Sequence, residues 1–463
     1  MRGQPHLAIL ELHKRYGDVV RTGPNELSFS HNEAWKEVCG HLKRGQDENE
    51  KDPRTSSDEL DKSILSARRD RHGQFRRLLS GGFSARAMAE QQPLINKYIN
   101  LFISRLREHG QGGTKVMDAS KWFEWTTFDI IGDLSFAEPF GCLQNSKSHP
   151  WVDSLNDSVG LFPVVQVISG LPFSSILKPL YFWLMTPKGV AEKRGFSRSF
   201  AEETLKKRIA LGSDRPDFVD AMLKADKEAK LTDDELRDNS VILTTAGSET
   251  TATTLAAVTY FLGTHPEVLA KLSAEVRSAF QHEDDIDINS VQNLRYMLAV
   301  LKETMRMYPA VALSQSRHAP PGGVQIAGEF VAGGTILGIW QYSIYHNPAK
   351  FLLPDSFIPD RWLDDKRFDY DEKALHQPFS YGPRNCIGMK CVSLVFKPLN
   401  LSLAYAEMRI ILARIIWNFD IELAPESRSW TENQKVYFFW QKPPLWTYFK
   451  PRNMQEEPEY LAQ

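Results

Sequence analysis

The chain has 463 residues, 42% hydrophobic and 25% charged, with 56 Lys and Arg, 58 Asp and Glu, and a formal charge of −2. That composition supplies a large core and excludes a disordered, collagen-like or coiled-coil chain. The near-neutral balance also argues against nucleic acid as a bulk electrostatic partner.

Residues 1–5 read as neither a signal peptide nor a membrane helix. No uninterrupted run of about 18 apolar residues follows. The nearest, 161–185, is broken by Pro163, Gly170, Pro172, Lys178 and Pro179. Leu7, Leu10 and Leu12 predict a short amphipathic helix over 6–16, and 18–30 reads as a hairpin turning at Gly23-Pro24-Asn25. Helical patterns follow near 66–80, 85–109, 118–135 and 190–210. Thr232-Asp-Asp-Glu235 is a capping box that opens a helix running through Leu262, long enough to cross a whole domain. Helices over 267–280 and 294–308 come next. After Pro309 the texture turns to short strands around Val324 and Ile336. A strong helix over 402–417 precedes strands at 419–423 and 436–440.

Length alone gives a soft prior of about three domains. No repeat, low-complexity tract or linker divides the chain, so the reading is one large, mainly α domain with a small β portion over 1–463.

The four cysteines are Cys39, Cys142, Cys386 and Cys391. They are too few for a disulfide scaffold and too scattered for a zinc site, which points to a reduced compartment. Cys386 stands out. It lies in Pro378-Phe-Ser-Tyr-Gly-Pro-Arg-Asn-Cys-Ile-Gly388, a tightly turned loop able to present its sulfur to a group outside the chain. Gly382 and Gly388 would let that group approach the backbone. Arg384, two residues away, would favour the thiolate.

Phe379-x-x-Gly382-x-Arg384-x-Cys386-x-Gly388 resembles the haem-binding loop of the cytochrome P-450 family. The resemblance implies haem b, iron protoporphyrin IX, with the Cys386 thiolate as its axial ligand. Glu303-Thr-Met-Arg306 resembles the family's Glu-x-x-Arg pair, and Arg361, in Phe357-Ile-Pro-Asp-Arg361-Trp362, its third member. Glu303 and Arg306 share a helix face at i, i+3, and the resemblance implies that Arg361 completes with them a buried structural triad behind the loop. Ala246-Gly-Ser-Glu-Thr-Thr251 lies inside the long helix, where Gly and a polar run are poor choices. It resembles the family's oxygen-binding groove, where a local widening of the helix could admit ligand and water. The match makes Glu249 and Thr250 an acid–alcohol pair that relays protons to dioxygen. His72, Arg76, Arg317 and Arg384 match positions that hold the haem propionates.

The closest texture is that of fungal secondary-metabolism members of the isotrichodermin C-15 hydroxylase type. That match is carried by 23–28, 125–133 and 403–409. It implies a monooxygenase that inserts one oxygen atom into a hydrophobic small molecule. Electrons would come from NADPH through a separate NADPH-cytochrome P-450 reductase, since the chain shows no GxGxxG loop. Pocket walls are expected at 55–65, 155–185, 239–247, 310–316 and 434–438, with Phe162, Phe173, Ala246 and Val311 among the apolar candidates. It further implies a monomer at the cytosolic face of the endoplasmic reticulum membrane.

Two departures stand against the family pattern. The chain as written lacks the N-terminal membrane anchor, leaving peripheral contact. Residues 390–401 read as an insertion, plausible as a retained intron, between the Cys-x-Gly and the helix that normally follows at once. The family's usual arrangement aims that helix N-terminus at the thiolate side of the haem, and the insertion puts that geometry in question. It keeps open an alternative, a non-catalytic or haem-deficient relative. A peroxide-using or isomerising relative is a second, against which Glu249-Thr250 argues.

Overall fold

The computed structural model describes residues 3–41, 47–55, 60–171, 173–174, 176–177, 180–181, 188–212, 215–225, 231–389 and 402–452. Side chains at 55, 156, 158–163, 188–194 and 225 are outside the description. The fold is mainly helical with small sheets. The helices that position the site are α1 (Pro5–Tyr16), α2 (Ala34–Cys39), α3 (Arg69–Ser80), α4 (Ala85–Gly110), α5 (Ala119–Phe136), α6 (Pro150–Ser169), α7 (Lys188–Ala210), α8 (Asp233–Thr264), α9 (Pro266–Ala279), α10 (Arg295–Met307) and α11 (Leu403–Asn418).

The core is built on α8 and α5, which pack along each other. Helix α8 opens on the capping box: the Glu235 backbone N–H donates to Thr232 Oγ1 (3.2 Å), and Thr232 N–H donates to the Glu235 carboxylate (2.9 Å). Such a cap contributes about 1 kcal/mol. With 32 residues, α8 spans about 48 Å at 1.5 Å rise per residue. It stays α-helical through Ala246–Thr251, so the expected widening is not seen. Its polar residues are tolerated because their hydroxyls bond within the helix. Thr244 donates to Ser240 O (2.9 Å), Thr250 to Ala246 O (2.7 Å) and Thr254 to Thr250 O (3.0 Å). Ser248 instead crosses to Thr127 O on α5 (3.1 Å), tying the two helices together.

One five-stranded sheet has the order β1-β2-β5-β4-β3. The strands are β1 (Val19–Gly23), β2 (Glu26–Phe29), β3 (Glu50–Lys51), β4 (Arg317–His318) and β5 (Ile336–Gly338). The predicted hairpin is β1–β2, antiparallel with Val19 opposite Phe29. A smaller sheet pairs β6 (Phe419–Leu423) with β9 (Trp446–Pro451). The strand expected at 436–440 is instead a hairpin of two two-residue strands, β7 (Lys435–Val436) and β8 (Trp440–Gln441). The apolar run that suggested one strand covers its turn.

Helix α1 carries His6 and His13 on its buried face, two turns apart. His6 meets the rings of Tyr342 and Trp440 edge-on at 4.7 and 4.9 Å. Burial, then the nearby His346, lowers its pKa to about 4, and burial also lowers that of His13. A histidine held neutral in the fold but free to charge when unfolded supports stability fully above about pH 6.5. That support is lost as pH falls toward the folded value near 4. Melting temperature is therefore expected to drop over that window. His6→Phe, which keeps the ring packing and removes the titration, should flatten the slope; an unchanged slope would exclude His6 as its source.

Candidate active site

The cysteine loop is braced by its own backbone. Cys386 N–H donates to Phe379 O (2.8 Å), and the Phe379 ring packs on Tyr405 (5.3 Å). Gly382 has φ +76°, and a Cβ there would meet the Cys39 carbonyl oxygen at 1.9 Å. Its smallness therefore serves the end of α2. At Gly388 an ideal Cβ would lie 3.6 Å from the Cys386 sulfur and 3.8 Å from Ala404, ordinary contact distances.

Cys386 is exposed to an internal cavity while enclosed by the surrounding protein. Burial pushes its thiol pKa up; backbone N–H groups of Gly388 and Met389 and the charge of Arg76 oppose that. The supporting cation is thus Arg76 rather than Arg384. From α3, Arg76 donates to both the backbone oxygen and the side-chain oxygen of Asn385. Arg384 turns away, donating to Glu48 (2.6 Å) and to Ala67 O (2.9 Å).

Residues 390–401, with Cys391, lie outside the described residues. The flanking chain closes up nonetheless. Ser402 caps α11 and donates its hydroxyl to Gly388 O (2.8 Å). The helix N-terminus therefore abuts the cysteine turn, the geometry that the insertion put in question, and Leu403 and Ala404 reach the same cavity as Cys386.

That cavity has a volume of about 680 Å³ and runs from Cys386 to α8, where Thr245, Ala246, Thr250 and Thr251 form its wall. Glu249 does not line it. Its carboxylate pairs with Lys442 and accepts from Thr253 (3.2 Å). Burial raises its pKa, and Lys442 lowers it. Thr250 and Glu249 thus face different surroundings. The sequence reading missed Thr251 in the wall and Lys442 beside the acid. Leu60, Ile64, Val311 and Phe438 line the cavity from the expected segments. Phe173 does not: it is 77% exposed on the surface. The Phe162 side chain lies outside the described residues.

Near the loop, His72, Arg76, Arg384 and Lys51 border the cavity, and Arg317 lies beside them. Lys51, unmarked by any motif, reaches the cluster because β3 pairs it with Arg317. Arg317 is 2% exposed; its side chain meets the Cys39 thiol, while among the described residues its Nε and Nη1 have no acceptor. Burial, Arg384 and Arg76 depress the His72 pKa to about 3, so it stays neutral. A guanidinium with two unpaired nitrogens buried among like charges is costly unless an anion joins it. The two carboxylates of a protoporphyrin fit that need, and the Cys386 sulfur in the same cavity fits its iron.

Behind the loop, the structure brings Glu303, Arg306 and Arg361 together, each with a fully buried side chain. Glu303 accepts from Arg306 Nε (2.9 Å) and Nη2 (2.8 Å), and from Arg361 Nε (3.2 Å). It also accepts from Trp362 Nε1 (2.9 Å) and Ile358 N–H (3.0 Å). Burial alone would raise its pKa; the two arginines hold it below the usual carboxylate value. Asp371 takes the other end of Arg361 at 2.5 Å, a fourth member that no local pattern announced.

The family model described as Cytochrome P-450 matches residues 1–448. Trichothecene C-15 hydroxylase of Fusarium sporotrichioides is 45% identical over 453 residues, 97% of this chain and 89% of that protein. Averantin hydroxylase of Dothistroma septosporum is 40% identical over 451 residues, 96% of this chain and 82% of that protein.

Proposed function

Because this chain belongs to the cytochrome P-450 family, we propose a function built on the cavity between Cys386 and Thr250. The protein is a haem-thiolate monooxygenase of fungal secondary metabolism. The observation that carries the site assignment is the Cys386 sulfur in one cavity with Thr250, beside the buried Arg317, two of whose nitrogens lack an acceptor among the described residues. Bound through that thiolate, haem supplies dioxygen binding and reductive O–O cleavage.

The chain's own residues do the rest. Cys386 would hold the haem iron, and Phe379, Gly382 and Gly388 shape its loop. Arg76, Arg317 and neutral His72 would meet the propionates, with Arg384, already paired with Glu48, beside them. The apolar walls hold a hydrophobic secondary metabolite, of the class the relatives' names describe, and exclude water. Thr250 presents a hydroxyl to the cavity, and Glu249 is the acid behind it. NADPH supplies electrons through a reductase. A groove of about 530 Å³ lined by Arg69, Arg76, Arg77 and Arg384 lies beside the cysteine loop. Its charge suits an acidic face of that partner.

Removing the hydroxyl tests the proton route. With reductase and a substrate identified by turnover, Thr250→Ala should divert electrons into hydrogen peroxide. Product per NADPH should fall by roughly 10-fold or more, within the range of lost acid–base assistance. Undiminished coupling would remove Thr250 from the route.

Among the described residues, no helix is long and apolar enough to cross a membrane. Val167, Leu171, Phe173 and Ile176 are all exposed beyond or at the end of α6, Phe173 most of all. Their grouping supports peripheral contact of a monomer with the endoplasmic reticulum surface. Phe173→Ser with Ile176→Ser should lower the vesicle-bound fraction severalfold in flotation assays. Unchanged binding would move the contact elsewhere.

A further inference from the structure

One short hairpin touches both the cavity and the partner of Glu249. Its turn contributes Phe438 and Phe439 to the cavity wall. Lys442 lies just beyond β8, pairs with Glu249, and donates to Thr253 Oγ1 (2.8 Å). The hairpin pivots on a fixed point: Trp440 Nε1 donates to Pro309 O (2.8 Å), and its ring stacks on Tyr308 at 4.3 Å. Among the described residues, Glu124 on α5, itself paired with Lys121 (2.6 Å), and the Tyr308 hydroxyl also face Glu249.

Glu249 follows one residue before Thr250 but is held on the flank away from the cavity. A buried carboxylate paired with an ammonium is a poor proton donor. Separated from the ammonium, it takes up a proton, because burial disfavours its charge. The same burial already raises the Glu249 pKa against the pull of Lys442.

We propose that Lys442 is a positioning residue that holds Glu249 away from Thr250 while the cavity is empty. An apolar ligand that displaces Phe438 and Phe439 shifts the hairpin and frees the acid. The inference rests on the reading of Glu249 and Thr250 as the proton route. Overall, substrate, dioxygen, NADPH and one proton give hydroxylated product, water and NADP+. The gated step is one proton passing from the Glu249 carboxyl to the Thr250 hydroxyl as that hydroxyl gives up its own to the oxygen that leaves as water. Electrons arrive through the reductase. The hairpin thus makes proton supply depend on an occupied cavity.

The test is infrared titration of the Glu249 carboxyl in the full-length haem-loaded protein, with the band assigned by its loss in Glu249→Gln. Lys442→Gln should raise the midpoint by about one pH unit or more, as expected when an opposite charge at contact is removed. Lys442→Arg should restore the wild-type midpoint. A panel of sesquiterpene hydrocarbons is then screened by thermal shift, and the strongest binder is used as the probe. It should raise the wild-type midpoint and leave Phe438→Ala unmoved although the probe still binds. If no hydrocarbon binds, the apolar-substrate reading fails and the inference falls with it. If Lys442→Gln leaves the midpoint unchanged, Lys442 does not hold the acid. If the probe binds without moving the wild-type midpoint, the hairpin is no lever. The last two results leave the monooxygenase reading standing.

Discussion

Glu303→Ala should yield little or no soluble folded protein. The carboxylate accepts from Arg306, Arg361, Trp362 and the Ile358 backbone. Both arginines are fully buried, so deleting the acid strands two cations where water does not reach them. Breaking one buried pair costs about 3–5 kcal/mol. A domain holds only about 5–15 kcal/mol in total. Asp371 compensates only the far end of Arg361, and Arg306 retains carbonyls of Tyr345 and Pro354 but no other acid among the described residues. Glu303→Gln keeps the shape and part of the hydrogen bonding, and should still melt about 3–5 °C below wild type if it folds, at roughly 1 °C per kcal/mol for a chain of this length. Soluble yield and circular-dichroism melts read the effect. A wild-type melt for Glu303→Ala would show that the triad does not hold the fold.

Cys386→Ala should do the opposite: lose the cofactor's thiolate signature and keep the fold. The loop's shape comes from the backbone bond of residue 386 to Phe379 O, from the Arg76 clamp on Asn385, and from Gly382 against α2. None of these uses the sulfur. The variant should therefore melt within a few degrees of wild-type protein compared in the haem-free state. Activity with reductase should fall to background. The pair of variants separates scaffold from chemistry: Glu303 acts on folding, Cys386 on the iron. Thiolate-type absorption retained in Cys386→Ala would move the ligand to another residue.

Much of this was legible because it was local. The cysteine loop declares itself by spacing within eleven residues, and the capping box opens α8 where Thr232 and Glu235 place it. What escaped the sequence depends on distant pairing. Lys442 meets Glu249 across 193 positions, and Lys51 joins Arg317 only through a two-residue strand pair. Arg384 misled because closeness along a chain is not closeness of side chains: on a tight turn it points to Glu48 while Arg76 arrives from α3. Phe173 misled because apolar residues in a candidate wall segment also suit a surface patch. The hairpin at 435–441 escaped because strands of two residues carry no periodicity.

The insertion bears hardest on the central claim, that this chain forms a haem-thiolate centre with residues 390–401 in place. Ser402 donates to Gly388 O, so the chain on either side of that segment meets at the cysteine turn. The direct measurement is the carbon monoxide difference spectrum of the reduced full-length protein after haem loading. The red-shifted band of a thiolate-ligated complex is the predicted result. Haem bound without that band, or no haem bound at all, would contradict it.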